Sequence, residues 1–171
     1  MDDAIDALLT RHSRPGLRLA RFDDDLAPHF DRINRRWIEE MHVIEPVDED
    51  QLGQPRATIV EPGGEIFFAI DDKLGPVGTC GLLRIGPGDY ELIKMGVDPV
   101  AQGLGVGETL LKAGIEAAKA LGATRLFLLT STKSAAAIRL YERNGFVHDE
   151  ALKDELGGEY SRCNVAMLHR G

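Results

Sequence analysis

The apolar positions change period several times along the chain, and each change marks a predicted element. Leu17 and Leu19 alternate with Arg18 and Ala20 up to Phe22, the two-residue period of a strand. From Asp24 to about His42 the period lengthens. Leu26, Phe30, Ile33, Trp37 and Met41 recur every three or four positions, with Asp31, Arg35, Glu39 and Glu40 between them, which predicts an amphipathic helix. Asp48 follows Pro46 and stands three residues ahead of Gln51, a capping pair that predicts a short second helix ending before Pro55. After the turn at Pro62-Gly63-Gly64 come three apolar runs, Ile66 to Ile70, Val77 to Ile85 and Tyr90 to Val97. They are separated only by Asp71-Asp72-Lys73 with Gly75-Pro76, and by Gly86-Pro87-Gly88-Asp89. Runs joined by such short turns predict an antiparallel meander.

Asp98-Pro99 ends the third run, and the glycine-rich Gln102 to Gly107 leads into a helix with an apolar face of Val106, Leu110, Ala113, Ala117 and Leu121, capped by Gly122. Arg125 to Thr130 is almost wholly apolar, as in a strand covered on both faces, and the helix before it predicts a parallel crossover. Ser134 is placed to cap a helix reaching Asn144, stopped by Gly145. The tail reads as two more strands, Phe146 to Leu152 and Glu159 to Leu168, joined at Gly157-Gly158. Residues 1–16 are polar, end in Arg14-Pro15-Gly16, and read as a leader holding no more than a loose helical turn. With no repeat, linker or low-complexity run, residues 1–171 read as one α+β domain.

Composition narrows the function classes. Hydrophobic residues make up 43% and charged residues 28%, an ordinary globular mixture. The formal net charge of −8 argues against nucleic acid or an anionic membrane as partner, since both demand a surplus of cations. Cys80 and Cys163 are not spaced as C-x-x-C and read as small buried apolar residues. The acidic start, Met1-Asp2-Asp3-Ala4-Ile5-Asp6, lacks the apolar core of a signal peptide, and no apolar run approaches the ~20 residues of a membrane span, so a cytoplasmic location is expected. His12, His29, His42, His148 and His169 show no paired ligand spacing, and no metal is expected.

A strand, a glycine-rich loop and a helix in succession form an anion site. The first amides of a helix have no partners within it, and the helix dipole makes that end positive. Gly103, Gly105 and Gly107 remove the side chains that would keep a phosphate away. Glycines at a helix start also serve turn geometry alone, so spacing must discriminate. A P-loop needs a lysine where Gly107 is followed by Glu108-Thr109, and a dinucleotide loop needs glycine where Glu108 stands. Neither fits.

Gln102-x-x-Gly105-x-Gly107, directly after the strand ending Met95-Gly96-Val97-Asp98-Pro99, resembles the Q/R-x-x-G-x-G/A motif of the GNAT superfamily of acyl-CoA-dependent N-acyltransferases. Downstream, Ala137-Ile138-Arg139-Leu140-Tyr141-Glu142-Arg143-Asn144-Gly145-Phe146 resembles the superfamily's A-I-x-L-Y-x-x-x-G-F segment. The two motifs, in the right order, cover roughly residues 65–150. The resemblance implies a GNAT-like fold, a mixed and mostly antiparallel sheet of about seven strands flanked by about four helices. It implies acetyl-CoA as cosubstrate, with the pyrophosphate on the amides of Gly103, Leu104, Gly105, Val106, Gly107 and Glu108, next to Gln102, and the pantetheine arm beside Met95, Gly96 and Val97. Where Ser134 stands the family often has an asparagine that reaches the cofactor, and serine is shorter. Lys112, Lys133, Arg139 and Arg143 are placed to offset the cofactor's charge.

The chemistry the resemblance implies is acyl transfer from a thioester to an amine, which requires the amine to lose a proton, the carbonyl oxygen to be polarised and the thiolate to gain a proton. Tyr141 occupies the position of the family's proton donor, where a core tyrosine packed with Ile138 and Phe146 is the alternative. Glu91 matches a glutamate common in the family that would take the amine's proton directly or through a water, where a strand-edge glutamate is the alternative. The polarising group would be a backbone amide near Met95 or Gly96. Trp37, Glu40, Met41, His42 and Glu45 are expected to wall the acceptor pocket, their acidic members favouring a cationic small-molecule amine, although Trp37 and Met41 also lie on a core stripe. A noncatalytic acyl-CoA-binding or regulatory module on the same fold is the alternative, and homodimers are frequent in the family.

Overall fold

The computed structural model describes residues 2–156 and 162–171, and in it the opening alternation becomes strand β1 (Leu17–Arg21), antiparallel to β2 (Glu65–Asp71). Strand β2 pairs with β3 (Gly75–Gly86) and β3 with β4 (Asp89–Val97), both antiparallel, so the expected meander is present with β1 as a fourth member. After β4, helix α4 (Val106–Ala120) crosses the sheet and β5 (Arg125–Thr130) enters parallel to β4. Strands β6 (Phe146–His148) and β7 (Val165–His169) complete a mixed, mostly antiparallel seven-stranded sheet in the order β1-β2-β3-β4-β5-β7-β6.

Helices cover both faces, which is why the central strands carry near-continuous apolar runs. On one face α4 and an amino-terminal helix, α1 (Asp2–His12), bury Phe67, Ala69, Leu82, Leu92, Leu126 and Leu128. On the other, α2 (Ala27–Met41) and α3 (Pro46–Gly53) bury Ile66, Phe68 and Ile93 with Phe30, Ile38 and Leu52. Helix α5 (Ala135–Arg143) links β5 to β6, and α6 (Glu150–Leu156) links β6 towards β7.

Several expectations are corrected. Residues 1–16 are no loose leader: α1 packs Ile5, Leu8 and Leu9 into the core, and Arg11 and His12 reach Glu116 of α4 at 2.9 and 3.2 Å. The strand read from Phe146 to Leu152 stops at His148, because the Asp149 carboxylate accepts the Leu152 amide at 2.9 Å and starts α6, a run of good helix formers. The final strand begins at Val165, while the junction at Gly157-Gly158 and residues 159–161 lie outside the described residues. Helix α3 begins after Glu45, with Asp48 at its third position closing a capping box at 3.0 Å, so Asp48 is not the first capping residue. The described residues thus hold six α-helices where about four were expected. No helix among them is long and apolar enough to cross a membrane.

Candidate active site

The parallel ladder between β4 and β5 holds for only three pairs, Asp89–Arg125, Tyr90–Leu126 and Glu91–Phe127. Its closed end is fastened by Arg125, whose Nε and Nη2 donate to the Asp89 carboxylate at 2.8 and 2.7 Å. Beyond Glu91, β4 stays with β3 while β5 continues only with β7, and the two strands part. A cavity of about 390 Å³ occupies the opening and reaches both faces of the sheet.

A bulge in β4 sets what lines it. Ile93 lies opposite Gly81 and Gly96 opposite Thr79, so Lys94 and Met95 together face the single residue Cys80, with Lys94 at φ +51°. Before the bulge Tyr90 and Leu92 point to the α4 face and Ile93 to the α2 face. The extra residue places Lys94 beside Ile93 on the α2 face, and Met95 and Val97 take over the α4 face. Glycine is required at 96, where a Cβ would stand 2.9 Å from both Asn34 and Trp37.

On the α4 side the cavity is walled by Gln102, Ser134, Ala137 and Tyr141. Ser134 occupies the N-cap position of α5, but its hydroxyl makes no capping bond, contrary to expectation. Tyr141 is buried edge-on against Phe146 with ring centres 5.8 Å apart, and burial with Cys80 nearby pushes its phenol well above the usual value. On the α2 side the wall is Trp37, Met41, His42, Glu91, Lys94 and Cys163, with Arg162 and Lys133 beside them. Trp37 and Met41 therefore line the cavity with their exposed edges, and Phe30 and Ile38 supply the helix's fully buried apolar contacts. Glu91 is 1% exposed.

The acceptor side differs from the acidic pocket the sequence led us to expect. Glu45 is not among the lining residues and its carboxylate accepts Arg162 Nη1 at 3.0 Å, and Glu40 pairs with Arg36 on an exposed surface at 3.3 Å. Behind the wall lies a buried ionic cluster absent from the sequence reading. Lys94 Nζ meets Asp48 at 2.9 Å, and both Arg162 terminal nitrogens donate to the same carboxylate at 2.6 and 2.9 Å. Burial opposes the Asp48 charge, but the hydrogen bonds from Arg162 and Lys94 outweigh it and hold the carboxyl at about 2. Burial, then Arg162 and Lys133, push His42 below its usual value. Burial also raises Cys163 to about 11, so it carries a neutral thiol at physiological pH.

At the mouth, Gly103 and Gly105 adopt φ of +82° and +77°, which only glycine takes without strain. A Cβ at Gly103 would meet nothing within 4 Å, and at Gly105 only the Arg14 guanidinium, 3.9 Å away. The first backbone bond of α4 is Thr109 N to Gly105 O, and the amides from Gly103 to Glu108 have no backbone acceptor among the described residues. An open row of amides at the start of a fifteen-residue helix fits a diphosphate. Arg14, assigned by sequence to the leader, braces this loop from behind: Nη2 donates to Leu104 O at 2.7 Å and Nη1 to Thr109 Oγ1 at 3.1 Å. No signal in the sequence joined it to the loop. Of the four cations expected near the cofactor, Lys112 and Arg143 pair with Glu108 at 3.4 and 3.3 Å, Arg139 is exposed, and Lys133 reaches Met41 O at 3.4 Å.

Comparison with known proteins decides the family. The model of the acetyltransferase (GNAT) family matches residues 27–146, most of the chain and both motifs. The chain belongs to the GNAT acetyltransferase family. A GNAT acetyltransferase structure from Staphylococcus aureus Mu50 superposes with a TM-score of 0.80 at 22% identity, covering 90% of this chain and 98% of that one. Spermidine N-acetyltransferase from Vibrio cholerae, solved with CoA and spermine, superposes with a TM-score of 0.63 at 18% identity over 80% of this chain and 83% of its own. Among curated proteins, the mycothiol acetyltransferase of Saccharopolyspora erythraea is 28% identical over 77% of this chain but 44% of its own length. The IAA acetyltransferase of Azospirillum brasilense is 35% identical over 52% of this chain and 58% of its own. The chain thus spans less than half the length of that mycothiol relative.

The GNAT loop geometry yields a direct check. Gly105→Glu forces a side chain onto a residue at φ +77° and adds a negative charge to the loop, and calorimetry is expected to show acetyl-CoA binding abolished while circular dichroism remains native. Undiminished binding would remove the loop from the cofactor site.

Proposed function

We propose that the protein is an acetyl-CoA-dependent N-acetyltransferase acting on a primary amine of a small molecule in the cytoplasm. The observation that carries this reading is the cavity between β4 and β5, open to both faces of the sheet, with Tyr141 on one wall and Glu91 on the other. The amides of residues 103 to 108 would hold the diphosphate, with Gln102 and Ser134 alongside. The edge of β4 at Met95, Gly96 and Val97, unpaired on the β5 side, would accept the pantetheine arm as an added strand.

The bound thioester supplies the acetyl group, its C–S bond breaking as the new C–N bond forms. Glu91 takes the proton the amine sheds, and Tyr141 gives its proton to the departing sulfur. Water returns the proton from Glu91 to Tyr141, so no net charge accumulates on the protein. Burial keeps the Tyr141 phenol protonated at physiological pH.

Around the acceptor wall Lys94, Arg162 and Lys133 are balanced by Glu91, Asp48 and Glu45 among the described residues.

Tyr141→Phe is expected to lower kcat tenfold or more while acetyl-CoA binding stays within about twofold, measured by steady-state kinetics and calorimetry on a screen of small amines. A wild-type rate would make Tyr141 a packing residue only. Binding of acetyl-CoA without turnover of any amine would favour the regulatory module instead. In Glu91→Gln the rate is expected to climb more steeply towards high pH, because the amine must then lose its proton unaided. An unaltered profile would take Glu91 out of the mechanism.

A further inference from the structure

We propose that Asn34 and Thr79 are positioning residues that aim the Met95 amide into the cofactor side of the cavity, where it polarises the thioester carbonyl. The inference rests on the acetyl-transfer reading above.

A buried chain of hydrogen bonds runs from α2 through β3 to the bulge. Trp37 Nε1 donates to Asn34 Oδ1 at 2.9 Å, and Asn34 Nδ2 donates to Phe30 O and to Thr79 Oγ1, both at 2.9 Å. The Thr79 hydroxyl in turn donates to Lys94 O at 2.8 Å. Asn34 and Thr79 are both fully buried. The direction of every bond is determined. The indole N–H can only donate, so the Asn34 oxygen must face it and the amide nitrogen must face Phe30 and Thr79. A hydroxyl has one proton, and Asn34 already donates to this oxygen, so the Thr79 proton goes to Lys94 O.

That carbonyl belongs to the peptide at the centre of the bulge. Peptides are planar and none here is cis, so the carbonyl and the N–H of the next residue point in opposite directions. Thr79 draws Lys94 O towards the α2 face. The Met95 N–H on the same peptide is thereby turned towards the α4 face, where the cavity holds Gln102, Ser134 and Tyr141. Lys94 sits at φ +51°, unfavourable for a residue bearing a side chain, so this peptide orientation must be held from outside the strand. The buried chain holds the carbonyl end, and the Lys94–Asp48 contact holds the side chain. Neither Asn34 nor Thr79 lines the cavity, so each acts only through the peptide it orients.

Thr79→Val removes the hydroxyl while keeping the shape, and Thr79→Ser restores it. Acetyl-CoA carrying a carbon-13 carbonyl is bound to each protein, its affinity is measured by calorimetry and its carbonyl band by infrared difference spectroscopy. In the wild type the band is expected below its position in water. In Thr79→Val that downshift is lost with affinity within about threefold, kcat falls about ten- to a hundredfold, and Thr79→Ser recovers both. A downshift unchanged in Thr79→Val with binding intact overturns the positioning role. Failure of the wild type to bind acetyl-CoA overturns the acetyl-transfer reading itself, and the inference falls with it. If Thr79→Val does not fold, Thr79→Ala is read the same way and a retained downshift there overturns the role equally, while a retained downshift in Asn34→Ala overturns the role of Asn34, since the Thr79 hydroxyl can still donate to Lys94 O.

Discussion

Strands β4 and β5 run side by side for three residue pairs and then separate, and the site depends on that separation being held open. Two opposed devices hold it. At the closed end the Arg125–Asp89 fork fastens the strands together. At the open end the bulge at Lys94 and Met95 bends β4 towards the meander and turns one extra side chain towards α3. A regular ladder through this region would fill the cavity with backbone hydrogen bonds and put Lys94 on the apolar face under α4. The bulge is thus a structural condition for any ligand to enter the sheet.

The elements carried by local signals were legible in the sequence. The meander, α2, α4 and β5 follow from the period of their apolar positions, and both GNAT motifs are contiguous stretches that can be read without any distant partner. The parts that were not legible depend on partners far away in sequence. Arg14 acts on Leu104 and Thr109, Lys94 on Asp48, and Arg162 on Asp48 and Glu45, each across forty or more residues. No periodicity records such pairings. Helix α1 is hard to see in the sequence because Asp2, Asp3 and Asp6 mask an apolar stripe of only Ile5, Leu8 and Leu9. Helix α6 is masked because Phe146 and Val147 of β6 start a strand-like run just ahead of it, before Asp149 caps the turn.

Charge shows the same contrast between composition and placement. A net charge of −8 is unpromising for an anionic cofactor, yet the loop presents backbone amides, whose dipoles are independent of the net charge. Glu108, the carboxylate nearest those amides in sequence, is engaged by Lys112 and Arg143. On the acceptor side, Glu45 looked like a substrate contact when only its type and neighbourhood were known. Folded, it helps to neutralise Arg162, which in turn holds Asp48 under Lys94. Its carboxylate thereby joins the ionic cluster that meets the bulge at Lys94.

The central claim is that the parted strands and the glycine loop form one cofactor site. Amide hydrogen exchange with and without acetyl-CoA, read residue by residue, tests it most directly. The account predicts slower exchange on binding at Met95 to Val97 and at Gly103 to Glu108 together, with α1 and β1 unchanged. Slowing confined to some other surface, or none at either segment despite binding, would contradict it.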